Sequence, residues 1–507
     1  MRLLSLVLIA GCAPDPVPSA DGPQLEMAVR MPPSPDVLLV RIAEVSADRP
    51  VHGVVQLSPV DGPTLEIPFE DLAATHEIPL LGLHFETPYE VSATAIDAEG
   101  RTTEVYGGRI DAEPRPPIWP EIEVSTSDPA LMEPGHTLFS VNAYDASSNH
   151  FLLVADPTGA ISWCYRAADT VLDARMNRAG NVLATIGDAI VELDWTGAEL
   201  QRWTAPNGLH HEATEMPDGS LLSLSSHAAV ADRYPTNYDD PGPRQQIEVL
   251  AHSVVELAAD GGLIEEWSLW DLLDRERIAY DGLDPEGGSE PRDWAHANAV
   301  VYDEADDAFL VSVRHQDAVV KFSRGGELRW ILGPHDNWAP EYRPFLLEPE
   351  GETEWAYHPH APMLSTDGRV LVFDNGNRRV NPFDGREIPP VEAQYSRVVE
   401  YAIDEAAMSV TQTWEQLDLD GDIVFSYATG DANYLPETGN ILTTYGLAAA
   451  TNGVMNADLG RGQAAVRIAE TTPTGEVVFE VLLYADATDS EQGWHGYRAV
   501  RFEGLNR

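Results

Sequence analysis

Short apolar runs alternate with polar residues and turn signals along nearly the whole chain of 507 residues. Gly and Pro are frequent, at 39 and 38 residues, and long helical periodicity is scarce. Period-two alternation bounded by turn residues is typical of β-strands. The pattern therefore predicts an all-β protein, and the length allows more than one domain.

Residues 25–120 contain the alternating strands VLLVRIAEV, HGVVQLSPV, LEIPF, YEVSATAID and TTEVYGG. The stretch LGLHFETPYEVSATAIDAEGR resembles the late strands of an immunoglobulin-like or fibronectin type III sandwich, with Tyr89 as the corner tyrosine. The Pro-rich stretch EPRPPIWP, residues 113–120, is typical of a spacer. We expect a small β-sandwich domain over 25–120, followed by a second domain over 126–507.

A repeated unit occupies the chain from residue 126 onward. Each copy has a Gly turn between strands and a last strand that ends in Trp or another aromatic residue, as in AGNVLATIGDAIVELDWTGAELQRW. Six copies can be recognised, and radial repetition of small antiparallel sheets is how β-propellers protect strand edges. The repeats predict a six-bladed β-propeller, with GYRAVRFEGL near the C-terminus supplying a closing strand.

Two insertions, residues 232–248 and 334–357, exceed normal connection lengths. The second carries five aromatic residues. It either packs a small core of its own or forms a wall beside a binding site, and the sequence leaves both readings open. The five aromatic residues are Trp338, Tyr342, Phe345, Trp355 and Tyr357.

The chain is extremely acidic. Asp and Glu number 83 against 31 basic residues, the formal net charge is −52, and Lys321 is the single lysine. Such a charge repels nucleic-acid phosphates and anionic lipid surfaces, which excludes nucleic acid as a partner. Salt screens this field within about 8 Å. An anionic substrate therefore stays compatible, provided that its site carries local positive charge.

The N-terminus, MRLLSLVLIAGCAPDP, has a basic residue, a short apolar core and small residues before a cysteine. This resembles a bacterial lipoprotein signal over residues 1–12 with lipid on Cys12; an ordinary secretory signal is the alternative. Residues 13–24 read as a Pro-rich tether. We expect an exported protein anchored to the membrane by lipid at the cell envelope. Because Cys164 is the only other cysteine, we expect no internal disulfide.

Three histidines share one position in the repeats. His360 lies eight residues before Gly368, and His211 lies eight before Gly219; His296 takes the same place if the turn of its repeat is longer. Equivalent repeat positions converge at the centre of a propeller. The sequence therefore predicts that three imidazoles meet there.

Three imidazoles suit either a zinc or copper site or catalysis by nucleophilic attack and proton transfer. Other repeats carry Leu172 or Asp431 at this position, so histidine is not demanded by the blade. Arg314, in the strand after His296, disfavours a metal cation and suits an anionic group in transfer. Carboxylates are scarce beside the histidines except for Glu212. The balance favours catalysis without metal or cofactor.

Three motifs resemble those of the bacterial arylsulfate sulfotransferases that work without a nucleotide sulfate donor. The motifs are HHEATEMPDGSLL, DWAHANAVVYDEADDAFLVSVRHQDAVVKFSRGGELRWILG and HAPMLSTDGRVLVFDNGNRR, and the resemblance covers residues 126–507. It implies a six-bladed propeller preceded by a small β domain. It also implies transfer of a sulfuryl group from a phenolic sulfate ester to a phenolic acceptor, in two steps of ping-pong type.

The resemblance assigns roles to four residues. It implies that His360 is the nucleophile and becomes transiently sulfated, while His211, His296 and Arg314 bind the sulfuryl oxygens and assist the leaving phenolate. The residues expected to contact substrate in addition are Asn298, His358, Trp355 and Tyr357.

The chain departs from the family pattern at His358 and Pro359, where a glutamine-like residue is expected before His360. His358 could act as an extra acid–base group. His210 and His315 are expected to be structural, with His210 on the opposite face of its strand from His211. Two alternatives stay open: a lipid-anchored propeller that only binds ligands, and a propeller enzyme that uses three histidines to hold a metal. Oligomeric state is not predicted.

Overall fold

The computed structural model describes residues 21–144, 149–283, 291–451, 453–456, 462–485 and 493–505. The expected lipoprotein signal, Cys12 and most of the tether lie outside these residues. Strands make up nearly all of the regular secondary structure of the described residues, which confirms the all-β prediction. Its helical turns are short, and none of the described helices is long and apolar enough to cross a membrane. These turns are α1 (Leu269–Leu272) and the 3₁₀ helices Arg314–Gln316, Arg343–Phe345 and Val391–Ala393.

The chain divides into two compact units. The described residues 21–32 and 39–115 belong to the first, and 33–38 and 116–505 belong to the second. The domain limits expected from the sequence, 25–120 and 126–507, stay predictions. Compactness alone does not show that either unit folds independently.

The first unit contains one five-stranded antiparallel sheet in the order β1-β3-β5-β6, with β4 also paired to β3. The backbone of β5 approaches Gly53 in β3 so closely that a Cβ at this position would lie 2.1 Å from the Thr94 carbonyl oxygen. The Tyr89 hydroxyl accepts a hydrogen bond from the His84 amide at 3.1 Å. The strands are β1 (Leu25–Arg30), β3 (Arg41–Pro59), β4 (Leu65–Leu80), β5 (Tyr89–Asp97) and β6 (Thr102–Ile110).

The second unit contains six larger sheets and a small ribbon among its described residues. The first sheet combines β2 (Val37–Leu38), β8 (His136–Ala143), β9 (His150–Ala155), β10 (Ile161–Ala167), β36 (Trp494–His495) and β37 (Ala499–Phe502). The second contains β11 (Val171–Met176), β12 (Val182–Ile186), β13 (Ala189–Leu193) and β14 (Glu199–Thr204). The third contains β15 (His210–Glu215), β16 (Leu221–Pro235), β17 (Arg244–Leu257), β18 (Leu263–Ser268) and β19 (Arg292–Asp293).

The remaining sheets follow in chain order. The fourth contains β20 (Ala297–Asp303), β21 (Ala308–Val313), β22 (Ala318–Ser323) and β23 (Leu328–Leu332). The fifth contains β24 (Glu348–Glu350), β25 (His360–Leu364), β26 (Val370–Asp374), β27 (Arg397–Asp404) and β28 (Ser409–Gln416), and the ribbon pairs β29 (Asp418–Leu419) with β30 (Asp422–Ile423). The sixth contains β7 (Glu121–Ser127), β31 (Asp431–Tyr434), β32 (Ile441–Thr451), β33 (Val454–Asn456), β34 (Gln463–Thr471) and β35 (Val477–Tyr484).

Each of the six larger sheets has one edge strand that contacts a neighbouring sheet, and we call these the inner strands. Their contacts form a closed cycle. Contacts run from β11 through β15, β20 and β25 to β31, and β37 contacts both β11 and β32. As expected, the C-terminal segment supplies a closing strand: β37 pairs with β8 of the first sheet. The N-terminal strand β7 pairs with β35 of the sixth sheet. The two ends of the unit therefore join sheets that are distant in sequence.

The aromatic insertion, residues 334–357, packs mainly into the protein. Trp338 is buried beneath Arg277, whose guanidinium carbon lies 4.2 Å from the ring centroid. Tyr342 and Phe345 pack against the same core between the third and fourth sheets. Farther along, β24 extends the fifth sheet at its outer edge. For these residues the structure supports a packed loop.

Candidate active site

Three histidines meet where inner strands begin. His211 is in β15, His296 directly precedes β20, and His360 opens β25. The ring centroids of His211 and His296 lie 5.3 Å apart. His211 and His360 both contact the ring of Tyr497, at 5.8 and 5.9 Å. The closed cycle of sheets thus brings together side chains that are up to 149 residues apart in sequence.

The backbone is strained at this centre. His211, His296 and His358 have φ angles of 62°, 46° and 52°, in the left-handed region that non-glycine residues rarely adopt. Such residues cost about 1–3 kcal/mol each and cluster at functional sites. The strain also corrects one expectation. His210 does not point away from His211, because the left-handed turn at His211 breaks the alternation and leaves the two Nδ1 atoms 2.8 Å apart.

The imidazole of His360 is held in one tautomer. Its Nδ1 lies 2.5 Å from Asn375 Oδ1 and 3.3 Å from the His358 carbonyl oxygen. The amide of Asn375 is oriented in turn, because its Nδ2 donates to the carbonyls of Ser426 and Thr429. Both neighbours of Nδ1 are therefore acceptors, so Nδ1 carries the proton and Nε2 carries the lone pair. Burial, followed by Arg314 and His296, lowers the pKa of His360 well below its usual value.

His296 is oriented by Asp293. Its Nδ1 lies 2.5 Å from Asp293 Oδ2, and its backbone amide donates to Asp293 Oδ1 at 3.1 Å. Nδ1 is thus the protonated nitrogen, which leaves Nε2 to accept a proton. Burial and Arg314 lower the pKa of His296 to about 3, so the ring is neutral at pH 7. This pairing of a carboxylate with a neutral imidazole suits general acid–base work.

Arg314 lies one residue beyond the strand expected to contain it, at the start of the 3₁₀ helix Arg314–Gln316. Its Nη1 is 3.4 Å from Asp281 Oδ2, and its Nη2 donates to the Tyr427 carbonyl at 3.4 Å. Nη1 also lies 2.5 Å from His315 Nε2. Buried Nε has no hydrogen-bond partner among the described residues. An unpaired N–H on a buried guanidinium is expensive, and an anionic ligand would satisfy it.

Carboxylates are more abundant around the histidines than the sequence motifs suggest. Besides Asp293, Asp281 and Asp317 approach His358, with Nε2–Oδ2 at 3.3 Å and Nδ1–Oδ1 at 3.0 Å. Burial opposes charge on His358, but the two carboxylates outweigh it and raise its pKa. Asp281 lies outside the three motifs, which is why its proximity to the site was missed.

The substrate-binding and acid–base roles expected for His358 stay predictions, and its surroundings bear on both. It is fully buried, and each ring nitrogen faces a carboxylate rather than the space beside His360. The raised pKa favours a protonated ring at this position, two residues before His360, and its single positive charge offsets part of the charge of Asp281 and Asp317.

Asn298 contacts the peptide before His360 from the neighbouring sheet. Its Nδ2 donates to the Pro359 carbonyl at 3.0 Å, and its Oδ1 accepts from Ser312. The Asn298 carbonyl accepts from the Tyr497 hydroxyl. Because both ends of the Asn298 side chain are engaged with protein, its contribution is to position the peptide that precedes His360.

The structure separates the two candidate aromatic residues from the histidines. The Trp355 ring packs against His335 at 5.5 Å and against an apolar core. Tyr357 is buried, and its hydroxyl accepts from Arg386 Nη2 at 3.4 Å. Among the described ring contacts, neither residue touches one of the three histidines; their contact with substrate stays a prediction. Both lie in the insertion 334–357, for which the sequence allowed either a binding wall or a packed loop. The contacts of these two side chains fit a packed loop.

A buried network of charges joins the inner strands next to the histidines. Arg498 Nη1 lies 3.0 Å from Asp173 and 3.2 Å from Glu212, and its Nε lies 3.2 Å from Asp431. Arg175 pairs with the same Asp173 and Glu212. Burial raises the pKa of Glu212 to about 7. Because the members come from β11, β15, β31 and the C-terminal segment, the network ties these parts together.

One group of side chains has the geometry for a metal ion. Ligand atoms of Asp293, His296 and His315 lie within 4.8 Å of one another. The expected combination of His211, His296 and His360 is not such a group among the described residues. The Arg314 guanidinium against His315 opposes a cation there. The oriented tautomers of His296 and His360 suit proton transfer and nucleophilic attack as well as metal ligation, so it is the charge of Arg314 that disfavours a metal.

Residues 123–498 match the family model of the arylsulfotransferases (ASST), so the chain belongs to this family. It is 27% identical over 328 residues to arylsulfate sulfotransferase AssT of Escherichia coli O6:H1 (strain CFT073) and 27% identical over 330 residues to that of Lelliottia amnigena. Each match covers 52% of this chain and 52% of the relative. The chain thus spans about half the length of the curated relatives it matches.

Solved structures resemble the chain only distantly. A protein of unknown function from Bacteroides caccae aligns with 72% of this chain and 99% of its own, at 13% identity and a TM-score of 0.43. We draw no conclusion about function from this likeness.

Proposed function

We propose that this protein is an aryl sulfotransferase that moves a sulfuryl group from a phenolic sulfate ester to a phenolic acceptor through a sulfohistidine on His360. The observation that carries the proposal is the hydrogen bond from His360 Nδ1 to Asn375, which leaves Nε2 unprotonated. A neutral, desolvated imidazole with a defined lone pair is an effective nucleophile. Membership of the arylsulfotransferase family supports the same activity.

In the first half-reaction, His360 Nε2 attacks the sulfur of the donor. The new N–S bond forms while the S–O bond to the aryl group breaks, and its electron pair leaves with the phenolate. Arg314 would bind the sulfuryl oxygens through its unpaired Nε–H and stabilise the charge on them. The bound sulfate ester is an anion, and it favours protonation of the otherwise neutral imidazoles beside it. A proton taken up from solvent at His296 Nε2, or at His211, would then pass to the departing phenolate.

In the second half-reaction, an acceptor phenol replaces the first product. Its oxygen attacks the sulfur while His296 Nε2 takes its proton, a role that Asp293 supports by holding Nδ1. The N–S bond breaks, and its electron pair returns to His360 Nε2. Because one phenol leaves before the other reacts, the kinetics should be of ping-pong type.

The proposal extends to the architecture. The closed cycle of inner strands supports assigning the six larger sheets as blades of a six-bladed propeller. The hydrogen bond to the Tyr89 hydroxyl supports the corner-tyrosine feature of an immunoglobulin- or fibronectin-like fold for the first unit, whereas its described strands form one continuous sheet and not two separate ones. Solution of a crystal structure tests both assignments, and a different number of blades would contradict the first.

We also propose that Cys12 carries lipid and anchors the protein to the envelope of its cell, at the outer membrane facing the periplasm or the cell surface. The residues LIAGC that precede and include Cys12 support this. Metabolic labelling of the full chain with a fatty acid should mark the wild type. Label that persists in Cys12→Ser would contradict the assignment.

The decisive experiment is intact-protein mass spectrometry of enzyme incubated with 4-nitrophenyl sulfate, without acceptor and with a quench that avoids acid. We expect one sulfuryl adduct on His360, together with a burst of nitrophenolate. His360→Ala should give neither. His252→Gln, which removes a buried histidine that we assign no catalytic role, is the matched control and should give the adduct.

Two results would contradict the proposal. Folded wild-type protein that gives no burst and no adduct would favour a binding propeller. One equivalent of tightly bound zinc or copper after dialysis, lost with Asp293→Asn, would favour the metal-dependent alternative.

A further inference from the structure

The space around Arg314 has a second, partly exposed arginine. Arg378 Nη2 lies 2.6 Å from Asp281 Oδ1, while Asp281 Oδ2 faces Arg314 Nη1 at 3.4 Å. One carboxylate therefore links the two guanidinium groups. The Arg378 side chain is 26% exposed, whereas that of Arg314 is 6% exposed. Arg378 thus lies on the solvent side of the site and Arg314 on the inner side.

Arg378 is held rigidly. Its guanidinium carbon lies 4.8 Å from the centroid of the Tyr280 ring, which packs in turn against Tyr238 at 5.0 Å. Apart from Asp281 and this ring, no partner of its side chain is present among the described residues. An arginine whose guanidinium is already ion-paired on one edge and stacked on one face loses little further conformational entropy when it binds an anion.

An exposed aromatic ring lies on the other side of Arg314. Tyr427 is 41% exposed, and its ring centroid lies 5.9 Å from the Arg314 guanidinium carbon. Asn377, next to Arg378 in the chain, donates to the Tyr427 carbonyl at 2.9 Å. Tyr427 and Arg378 are therefore coupled, and both are exposed beside a buried arginine. Both side chains therefore offer exposed surface close to the buried Arg314 guanidinium.

The charges at this entrance favour an anion. Arg314 and Arg378 share the single carboxylate of Asp281, so together they carry one positive charge more than it offsets. This pair of guanidinium groups lies in a chain with a formal net charge of −52. Surface arginines elsewhere in the described chain are mostly paired with their own carboxylates, as Arg202 is with Glu199.

We propose that Arg378 and Tyr427 select the substrates: Tyr427 stacks on the aryl ring, and Arg378 binds a carboxylate or sulfonate that the ring carries. This inference rests on the proposed sulfotransferase activity and names its substrate class as anionic phenols and their sulfate esters. The hydroxyl or sulfate group of such a ring reaches inward to Arg314 while its second anionic group stays at Arg378.

The test compares 4-hydroxybenzoate with neutral 4-hydroxybenzamide as acceptors, with 4-nitrophenyl sulfate as donor. We expect wild-type kcat/KM to favour the benzoate, and Arg378→Gln to lower the benzoate-to-benzamide ratio about tenfold, the scale of one charge-assisted contact. Arg378→Lys should keep part of the preference. Arg202→Gln, which changes net charge equally on the outer strand β14, should keep all of it.

Each outcome separates the inference from the activity on which it rests. If Arg378→Gln lowers kcat/KM for both acceptors equally, Arg378 only supports Asp281. The proposed selection of anionic phenols by Arg378 would then be wrong. An unchanged ratio, with a nitrophenolate burst still present, also overturns the selectivity alone. Absence of the burst in the wild type overturns the sulfotransferase activity and this inference with it.

Discussion

His360 Nδ1 lies 2.5 Å from Asn375 Oδ1, and this contact determines which nitrogen of the ring carries a lone pair. Asn375 cannot turn its amide round without cost, because its Nδ2 donates to two carbonyls of the loop before β31. The loop, Asn375 and His360 therefore act together to present Nε2. The proposed nucleophile depends on a residue that never touches the sulfuryl group.

Replacement of Asn375 by Leu should slow the formation of the His360 adduct about 10–100-fold, because the ring loses the acceptor that selects its tautomer. Asn375→Asp keeps an acceptor at Nδ1 and should lose less. Stopped-flow release of nitrophenolate measures the rate, and urea unfolding checks that both variants are folded. Equal rates in the Leu variant and the wild type would contradict tautomer control.

Asp293→Asn should make the rate depend more strongly on the leaving group. Asp293 holds His296, the proposed proton donor to the departing phenolate. A poorly acidic phenol needs that proton in order to leave, and an acidic phenol does not. We therefore expect the rate to fall about 100-fold with phenyl sulfate and much less with 4-nitrophenyl sulfate. Single-turnover rates with a series of aryl sulfates measure this. A uniform loss across the series would indicate a purely structural role.

The repetition of strands and turns was sufficient to predict the β class and the closing strand at residues 499–502. The alternation with a period of two and the Gly turns are visible within each copy of the repeat. Because one repeat lacks a strand of its own, a strand from elsewhere must complete its sheet, and β37 does so by pairing with β8. The same reasoning could not decide between the two readings of the insertion at 334–357. An aromatic-rich loop looks alike whether it packs inward, as Trp338 does, or lines a site, because its composition does not reveal where it folds.

The convergence of His211, His296 and His360 could be inferred from their common repeat position, but their partners could not. Asp281 reaches His358 from a loop 77 residues earlier, and no periodicity reports such contacts. The direction of His210 was predicted wrongly, because alternation assumes regular strand geometry and His211 has a φ of 62°. Strained residues are where rules of local structure fail.

His252→Gln should make the protein less sensitive to acid. Burial lowers the pKa of His252 to about 3, against about 6.5 in an unfolded chain. Between these values the unfolded state binds a proton that the folded state does not, so stability present above pH 6.5 falls with pH by about 1.4 kcal/mol per unit. Urea unfolding from pH 7.5 to 4.5 should show a shallower decline in the variant. Parallel curves would contradict the assignment of a neutral, buried His252.

The charge network beside the histidines should contribute to stability through the pairing of its members. Arg498→Met leaves Asp173, Glu212 and Asp431 with Arg175 alone, and loss of one partner from a buried network typically costs about 3–5 kcal/mol. Arg202→Met, which removes an exposed pair with Glu199, is the control and should cost less than about 1 kcal/mol. The loss in Arg498→Met should shrink as pH falls below 7, since burial already raises the pKa of Glu212 to about 7 and protonation relieves the unpaired carboxylates. Urea unfolding at pH 8 and pH 6 measures both effects, and a loss in Arg498→Met no larger than in the control would mean that the network does not hold the inner strands together.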